Sequence, residues 1–212
     1  MNEKKIIITV GRQLGSGGYT VAKRLAEHFG CKLYDKELLN LAAKESGFSE
    51  RFFEKTDERR HLFRAFPSLH MPLGTFNFQL SAFNYESLFL FQSDAIRKAA
   101  AEGSCVFVGR CADYVLREMK DKTDVFITAD LSERIRRVSE RHGCDAAAAE
   151  KIIRHKESAR ASYYNFYTGK RWGDSASYDL CLNSSLLGLD ATADVIASFI
   201  EQRMGAKPDS QP

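Results

Sequence analysis

Short apolar runs alternate with amphipathic stretches along most of the chain, and this alternation predicts strands and helices in turn. Residues 5–10 are largely β-branched and apolar on both faces, as in a buried strand of a parallel sheet. Further strands are predicted at 31–34, 105–108, 125–128 and 178–182. Helical patterns occupy 19–29, 36–44, 94–101, 131–142 and 191–204. The order predicts an α/β fold with a five-stranded parallel sheet and helices on both faces.

Two segments interrupt the alternation. Residues 51–91 are rich in phenylalanine and contain Pro67, Pro72 and Gly74, which indicates a partly helical insert. Residues 145–177 begin as a helix and continue into a stretch of aromatic and basic residues that holds the single tryptophan, Trp172. Residues 205–212 are predicted to form a disordered tail. The remaining pattern predicts one domain over 1–204.

Composition narrows the class of protein without identifying it. Lys and Arg number 31 against 28 Asp and Glu, and 44% of residues are hydrophobic, which excludes a disordered tail protein or a fibrous rod. The net charge of +3 gives no argument for a nucleic-acid partner or a membrane surface. No apolar run approaches the roughly 20 residues of a membrane span. Five scattered cysteines suit reduced thiols, so a cytoplasmic protein without a zinc site is expected.

A glycine-rich turn follows the first predicted strand and precedes the first predicted helix. The N–H groups at a helix start lack intrahelical acceptors, and the helix dipole is positive there. Glycines let the backbone approach phosphate oxygens closely. The turn contains Gly15, Ser16, Gly17 and Gly18 where this arrangement requires them. The sequence therefore predicts a phosphate-binding loop.

The loop departs from the P-loop pattern G-x-x-x-x-G-K-[ST], because Gly18 occupies the lysine position. Alignment on the G-x-G-K-G-T form of nucleoside monophosphate kinases places Thr20 at the metal-side hydroxyl. Arg12 is the nearest cation that could replace the lysine, from the other side of the loop. That compensation is a hypothesis about catalysis.

A dinucleotide-binding fold is the competing interpretation. The spacing Gly11-x-x-x-Gly15-x-Gly17 matches the nucleotide loop of short-chain NAD(P)-dependent dehydrogenases, and Asp35 closes the second strand, where a ribose-binding acid would lie. Such enzymes need a Tyr-x-x-x-Lys pair far downstream. Here that spacing occurs only at Tyr19 and Lys23, inside the first helix, which argues against a dehydrogenase.

Further arginines are candidates for binding the phosphates. Arg110 follows a buried strand, at the sheet edge where ligands of open α/β sheets bind, and arginine suits bidentate recognition of a phosphate. Arg160 opens the aromatic segment, and phosphoryl transfer needs cations over the transferring group. Most other basic residues between 131 and 160 are expected to be solvated charges on helix faces.

Four motifs together resemble the cytidylate kinase-like proteins of bacteria. They are the loop 11–18, the stretch 33–37 around Asp35, the stretch 108–114 that begins Val-Gly-Arg, and the segment from Arg160 to Trp172. The resemblance covers about residues 5–200. In proven cytidylate kinases, a lysine stands where Gly18 is found here, and an acid where Cys111 is found.

The resemblance implies a P-loop kinase fold with strand order 2-3-1-4-5, in which 51–91 is the insert that binds the nucleoside monophosphate and 145–177 is the lid. ATP and Mg²⁺ would be held by the loop residues Gly15, Ser16, Gly17, Gly18, Tyr19 and Thr20, with Thr20 on the metal side. The acceptor nucleotide would face Asp35, Arg97 and Arg110, and catalytic charge would come from Arg12, Arg154 and Arg160. The expected activity is transfer of the ATP γ-phosphate to CMP or dCMP. A non-catalytic nucleotide-binding module is the alternative, and a homodimer is expected.

Overall fold

A parallel sheet organises the computed structural model, which describes residues 5–35 and 73–205, with side chains from residue 88 onward in the second range. Its strands are β1 (Ile7–Arg12), β2 (Lys32–Tyr34), β3 (Cys105–Val108), β4 (Lys122–Thr128) and β5 (Leu180–Asn183). They pair in the order β2-β3-β1-β4-β5, and every neighbouring pair is parallel. The predicted α/β fold with strand order 2-3-1-4-5 is confirmed.

The strand order also decides against the dehydrogenase alternative. Dinucleotide-binding folds place their strands in the order 3-2-1-4-5, with the second strand next to the first. Here β3 lies between β2 and β1, with Ile7 opposite Cys105 and Lys32 opposite the same residue on its other side. Asp35 therefore follows an edge strand that is not adjacent to β1.

Helices cover both faces of this sheet. They are α1 (Gly18–His28), α2 (Leu73–Glu102), α3 (Ala112–Val115), α4 (Leu131–His142), α5 (Ala146–Thr168) and α6 (Ser184–Gly205), with a 3₁₀ turn at Ser175–Ser177. Ile8 and Val10 of β1 pack against α1 and α6 on one face. Ile7 and Phe107 pack against Ile96 of α2 on the other.

Two predicted helices are longer than the sequence pattern indicated. The helix predicted at 94–101 is the end of α2, a 30-residue helix that runs across position 91. Because residues 73–91 contain no proline, nothing in the sequence forces the helix to begin as late as 94. The last helix begins at Ser184 rather than 191 and is interrupted at Gly188, whose φ is 76°. The helix predicted at 36–44, the first part of the insert (51–72) and residues 206–212 lie outside the described residues.

The carboxyl ends of β1, β3 and β4 meet at one edge of the sheet. Arg12 is the last residue of β1, and Gly109 and Arg110 follow β3 directly. Pairing with β4 continues as far as Arg12, which lies opposite Ile127, so β1 extends two residues beyond its predicted end. Among the described helices, none combines the length and the apolar character needed to cross a membrane.

Candidate active site

The glycine-rich loop between β1 and α1 has a backbone that only glycine accommodates at two points. Gly15 has a φ of +80° and Gly17 a φ of +76°, both in the left-handed region. A Cβ on Gly15 would lie 2.8 Å from the carbonyl oxygen of Arg134, and one on Gly17 would overlap the side chain of Leu189. Helix α4 and the start of α6 therefore press directly against the loop.

The carbonyl oxygens of residues 13–16, in the glycine-rich loop, each accept a hydrogen bond from a side chain. Ser16 donates to Gln13 O from its Oγ at 2.9 Å, Arg134 Nε donates to Leu14 O at 2.9 Å, Arg137 Nη1 to Gly15 O at 3.2 Å and Ser184 Oγ to Ser16 O at 2.7 Å. Within the described residues, no acceptor takes the N–H of Gly15 or Gly17. With the carbonyls turned outward, these amides and the first N–H groups of α1 are left for an anion.

Arg12 stands at the first glycine position of the P-loop pattern, and Gly18 stands at its lysine position. Counted back from Gly17 and Gly18, the first glycine of G-x-x-x-x-G-K-[ST] falls on Arg12 and its lysine on Gly18. In space, a Cβ on Gly18 would lie 2.5 Å from the Cβ of Arg12. A Cβ on Gly109 would overlap Nη1 of Arg12. The Arg12 side chain thus runs over Gly18 toward the end of β3 and fills the space where a side chain on residue 18 would begin.

Three guanidinium groups converge at this sheet edge. Burial, together with the nearby charges of Arg160 and Arg110, lowers the pKa of Arg12 to about 9, while Asp35 acts in the opposite direction. Burial also lowers the pKa of Arg160, with Arg110 and Arg134 adding to the effect and Glu157 opposing it. Arg160 donates from Nη1 to the carbonyl oxygen of Arg12 at 3.1 Å. The protein compensates this positive charge poorly, so the arrangement favours a bound anion.

The turn after β3 places Arg110 close enough to Arg12 and Arg160 for its charge to act on both. Gly109, Arg110 and Cys111 have φ angles of 72°, 58° and 56°, so two consecutive non-glycine residues are left-handed. Such residues persist only where the surroundings hold them, and they concentrate at functional sites. The Arg110 guanidinium carbon lies 5.4 Å from the centroid of the Tyr163 ring, which supports it from below.

These arginines line a cavity of about 520 Å³ over the sheet. Thr9 and Gly11 of β1 form part of its floor, and the aromatic residues Tyr163, Tyr164, Trp172 and Tyr178 contribute to its walls. Trp172 and Tyr178 both pack on Phe126, with ring centroids 5.4 and 4.9 Å away. The volume is in the usual range for a small-molecule site.

A buried ion pair joins α5 to the glycine-rich loop. Arg134 pairs with Glu157, and their side chains are 7% and 20% exposed. The same Glu157 oxygen, Oε1, accepts the N–H of Leu14 at 3.2 Å. Together with the bond from Arg134 to Leu14 O, this fixes both sides of one loop residue. Most basic residues of this region are expected to be solvated helix-face charges, and Arg134 is an exception because a carboxylate from α5 meets it.

We expect Glu157→Gln to lower the free energy of unfolding by about 2–4 kcal/mol, because it leaves the Arg134 charge largely buried without its partner. Chemical denaturation measures the change. Glu150→Gln is the matched control on the same helix, since Glu150 pairs with the exposed Arg154 four residues later and such pairs contribute under about 1 kcal/mol. If both variants lower the free energy of unfolding equally, the largely buried Arg134–Glu157 pair stabilises the fold no more than the exposed Arg154–Glu150 pair does.

Comparison with known proteins identifies the family of this chain. The model of the cytidylate kinase-like family matches residues 7–186. The chain belongs to the cytidylate kinase-like family. Cytidylate kinases of Methanopyrus kandleri and Pyrococcus horikoshii are 27% and 28% identical to it, over 92% and 95% of this chain and 93% and 91% of theirs.

Solved structures agree on the fold. An uncharacterized protein from Eubacterium ventriosum is 32% identical, with a TM-score of 0.73 over 94% of this chain and 100% of that one. Shikimate kinase from Bacteroides thetaiotaomicron, 13% identical, has a TM-score of 0.52 over 96% of this chain and 100% of its own. At that identity, the second match reports the kinase fold alone.

For this member of the cytidylate kinase-like family, the structure brings together only some of the predicted site residues. Arg12, Arg110 and Arg160 line the cavity, and Asp35 lies within electrostatic range of Arg12. Gly15 to Gly18 form the loop, and Tyr19 and Thr20 follow in the first turn of α1.

Two predicted arginines are not among the described residues that line the cavity. Arg97 is exposed on α2 and pairs with Asp94 at 2.9 Å. Arg154 is 79% exposed on α5 and pairs with Glu150 at 2.6 Å. Both pairs are local, between residues three or four positions apart on one helix.

Two further residues of the site were not among the predicted site residues, although Asp113 lies within the motif 108–114. Asp113 lines the cavity and accepts a hydrogen bond from the Tyr164 hydroxyl, and Glu157 holds the loop. Glu157 lies one helical turn before Arg160, which is the one sequence signal that could have indicated it. Cys111, which stands where related kinases have an acid, is 3% exposed, and burial raises the pKa of its thiol to about 12. It stays neutral at physiological pH and provides no negative charge.

Proposed function

We propose that this chain is an ATP-dependent nucleoside monophosphate kinase that transfers the γ-phosphate to CMP or dCMP. The observation that carries the proposal is the convergence of Arg12, Arg110 and Arg160 on one cavity beside the glycine-rich loop, with the pKa of Arg12 lowered to about 9 by burial and by its two neighbours. Poorly compensated cations at a phosphate loop suit a ligand with several negative charges. Family membership supports a phosphotransferase, and the names of the archaeal relatives support cytidylate.

In this proposal the loop amides of Gly15 to Thr20 bind the phosphates of ATP, and Arg110 binds the phosphate of the acceptor. An oxygen of that phosphate attacks the γ-phosphorus, the bond from the γ-phosphorus to the bridging oxygen breaks, and ADP leaves. Because the attacking phosphate oxygen already carries charge, no general base is required. Arg12 and Arg160 stabilise the charge that spreads over the equatorial oxygens of the transferred group. Helix α5, within the predicted lid 145–177, contributes Arg160 and keeps water away from the reaction.

Mg²⁺ would be held by the hydroxyl of Thr20 and by the nucleotide's own phosphates. The donor set suits this ion, since Mg²⁺ keeps several waters and usually takes few protein ligands. The described residues hold no cluster of three metal-ligating side chains, which agrees with a metal that arrives with the nucleotide rather than in a protein cage. When bound, the ion neutralises charge on the β- and γ-phosphates.

Arg97 and Arg154 stay proposals for the acceptor and the lid, and their exposed positions require a movement that brings them to bound nucleotide. The Phe-rich insert 51–91 is a candidate for a substrate lid or for the subunit interface of a homodimer, and its residues 51–72 lie outside the described residues.

Formation of ADP from ATP with a panel of nucleoside monophosphates tests the activity. We expect CMP or dCMP to give the highest rate, and ATP with Mg²⁺ to raise the unfolding temperature, because a ligand of the native state stabilises it. ATP-induced stabilisation without turnover of any acceptor would favour a nucleotide-binding module, the alternative that Gly18 in the lysine position supports. Stabilisation by NADH but not by ATP would contradict both the kinase and the ATP-binding module.

A further inference from the structure

Among the described residues that line the cavity, Asp113 is the one acidic side chain. It lies on α3, just beyond the turn that carries Arg110. The two charged side chains that act most on its carboxylate are Asp124 and Lys122, not the three arginines. The cavity therefore combines three arginines, which suit a phosphate, with one carboxylate.

The Asp113 carboxylate is held in place but retains capacity to accept further hydrogen bonds. The Tyr164 hydroxyl donates to Oδ2 at 2.6 Å, and Tyr164 itself is 5% exposed. Tyr178 lies beside both groups. Burial raises the pKa of Asp113, and the bond from Tyr164 opposes that effect. An ionised carboxylate can accept about four hydrogen bonds, so a ligand can still donate to it.

The surroundings of Asp113 suit a planar ligand. Tyr163, Trp172 and Tyr178 line the same cavity, and Trp172 and Tyr178 are held by contact with Phe126. Aromatic side chains present faces on which a nucleobase stacks. A carboxylate beside such walls favours a base that offers an N–H donor.

We infer that Asp113 selects the base of the acceptor nucleotide by accepting a hydrogen bond from the exocyclic amino group of cytosine. Uracil has a carbonyl oxygen at that position, which repels a carboxylate. Tyr164 is a positioning residue, because it acts by fixing the carboxylate. The inference rests on the proposed kinase activity and names the residue that discriminates between the two pyrimidines.

The test compares kcat/KM for CMP and for UMP, at saturating ATP, in the wild type and in Asp113→Asn. A hydrogen bond to a charged group predicts that the wild type prefers CMP by about 10–100-fold. In the variant, the amide oxygen can keep the bond from Tyr164, while the amide nitrogen donates to the uracil oxygen. We expect the CMP/UMP ratio to fall at least about tenfold. Asp194→Asn, at an exposed position of α6, is the matched control and leaves the ratio unchanged.

Tyr164→Phe separates base selection from a purely structural role of Asp113. It removes the donor that fixes the carboxylate, so the CMP/UMP ratio should fall while the KM for ATP stays within about twofold. This variant also decides the matter if Asp113→Asn does not fold. A wild type that phosphorylates no nucleotide contradicts the proposed function itself. A wild type that phosphorylates CMP, with a ratio unmoved by either variant, overturns only the role of Asp113.

Discussion

Replacing Arg12 by alanine should lower kcat/KM for ATP-dependent phosphorylation of CMP by about 10³-fold. Removing one preorganised charge donor from a transition state typically costs 10²–10³-fold, and an arginine at a transferring phosphoryl group contributes more. The Arg12 side chain runs between Gly18 and Gly109, close enough to both that a Cβ on either glycine would meet it. Steady-state rates at several ATP concentrations measure the effect.

The same substitution should leave the fold stable, because two effects oppose each other. It removes packing against the two glycines, and it removes a charge that Arg110 and Arg160 repel. We expect the free energy of unfolding to change by less than about 1.5 kcal/mol. Arg136→Ala is the control, since Arg136 is exposed and pairs only with Glu133 and Glu140 among the described residues. Loss of activity together with loss of the fold would leave Arg12 a structural residue.

Gly18→Lys, which restores the lysine of the P-loop pattern, should inactivate the enzyme when made alone. The new Cβ would lie 2.5 Å from the Cβ of Arg12, so one of the two side chains must be displaced. Overpacking of this kind costs about 1–3 kcal/mol of stability. We expect a loss of at least about 10²-fold in kcat/KM, because the displaced Arg12 no longer reaches the transferred phosphate.

The double variant Arg12→Gly/Gly18→Lys should recover activity that both single variants lose. It removes the overlap and places a cation at the lysine position of the pattern G-x-x-x-x-G-K-[ST]. We expect its kcat/KM to exceed that of either Arg12→Gly or Gly18→Lys by at least about 30-fold, a non-additivity typical of residues in contact. If the double variant is no more active than the more active single variant, Arg12 does not take the place of the lysine of the P-loop pattern.

The central strands β1, β3 and β4 could be predicted from the sequence because they are short and largely buried. The bounds of β3 agree with the prediction to the residue, since a continuous apolar run is flanked by Gly103 and Gly109. The strand order came from the family resemblance and not from periodicity. The start of α2 could not be predicted, because a phenylalanine-rich helix lacks the polar face that marks a helix on a sheet.

The arginines were harder to assign than the strands. The surface positions of Arg97 and Arg154 were foreseeable in part, because Asp94 and Glu150 precede them by three and four residues. The burial of Arg134 was not, because its partner Glu157 lies 23 residues further along, on another helix. The sequence shows an arginine at a glycine position of the P-loop pattern and a glycine at its lysine position. Only the fold shows that Arg12 and a side chain at residue 18 would occupy the same space.

Transfer of the labelled γ-phosphate of ATP to CMP, measured in wild type and Arg12→Ala side by side, tests whether this chain is a kinase that depends on Arg12. We expect the wild type to form labelled CDP, and the variant to form it about 10³-fold more slowly although it is still folded and still binds ATP. Wild-type protein that binds ATP but transfers label to no nucleoside monophosphate would contradict the proposed activity. An Arg12→Ala variant that forms labelled CDP at the wild-type rate would contradict the role of Arg12.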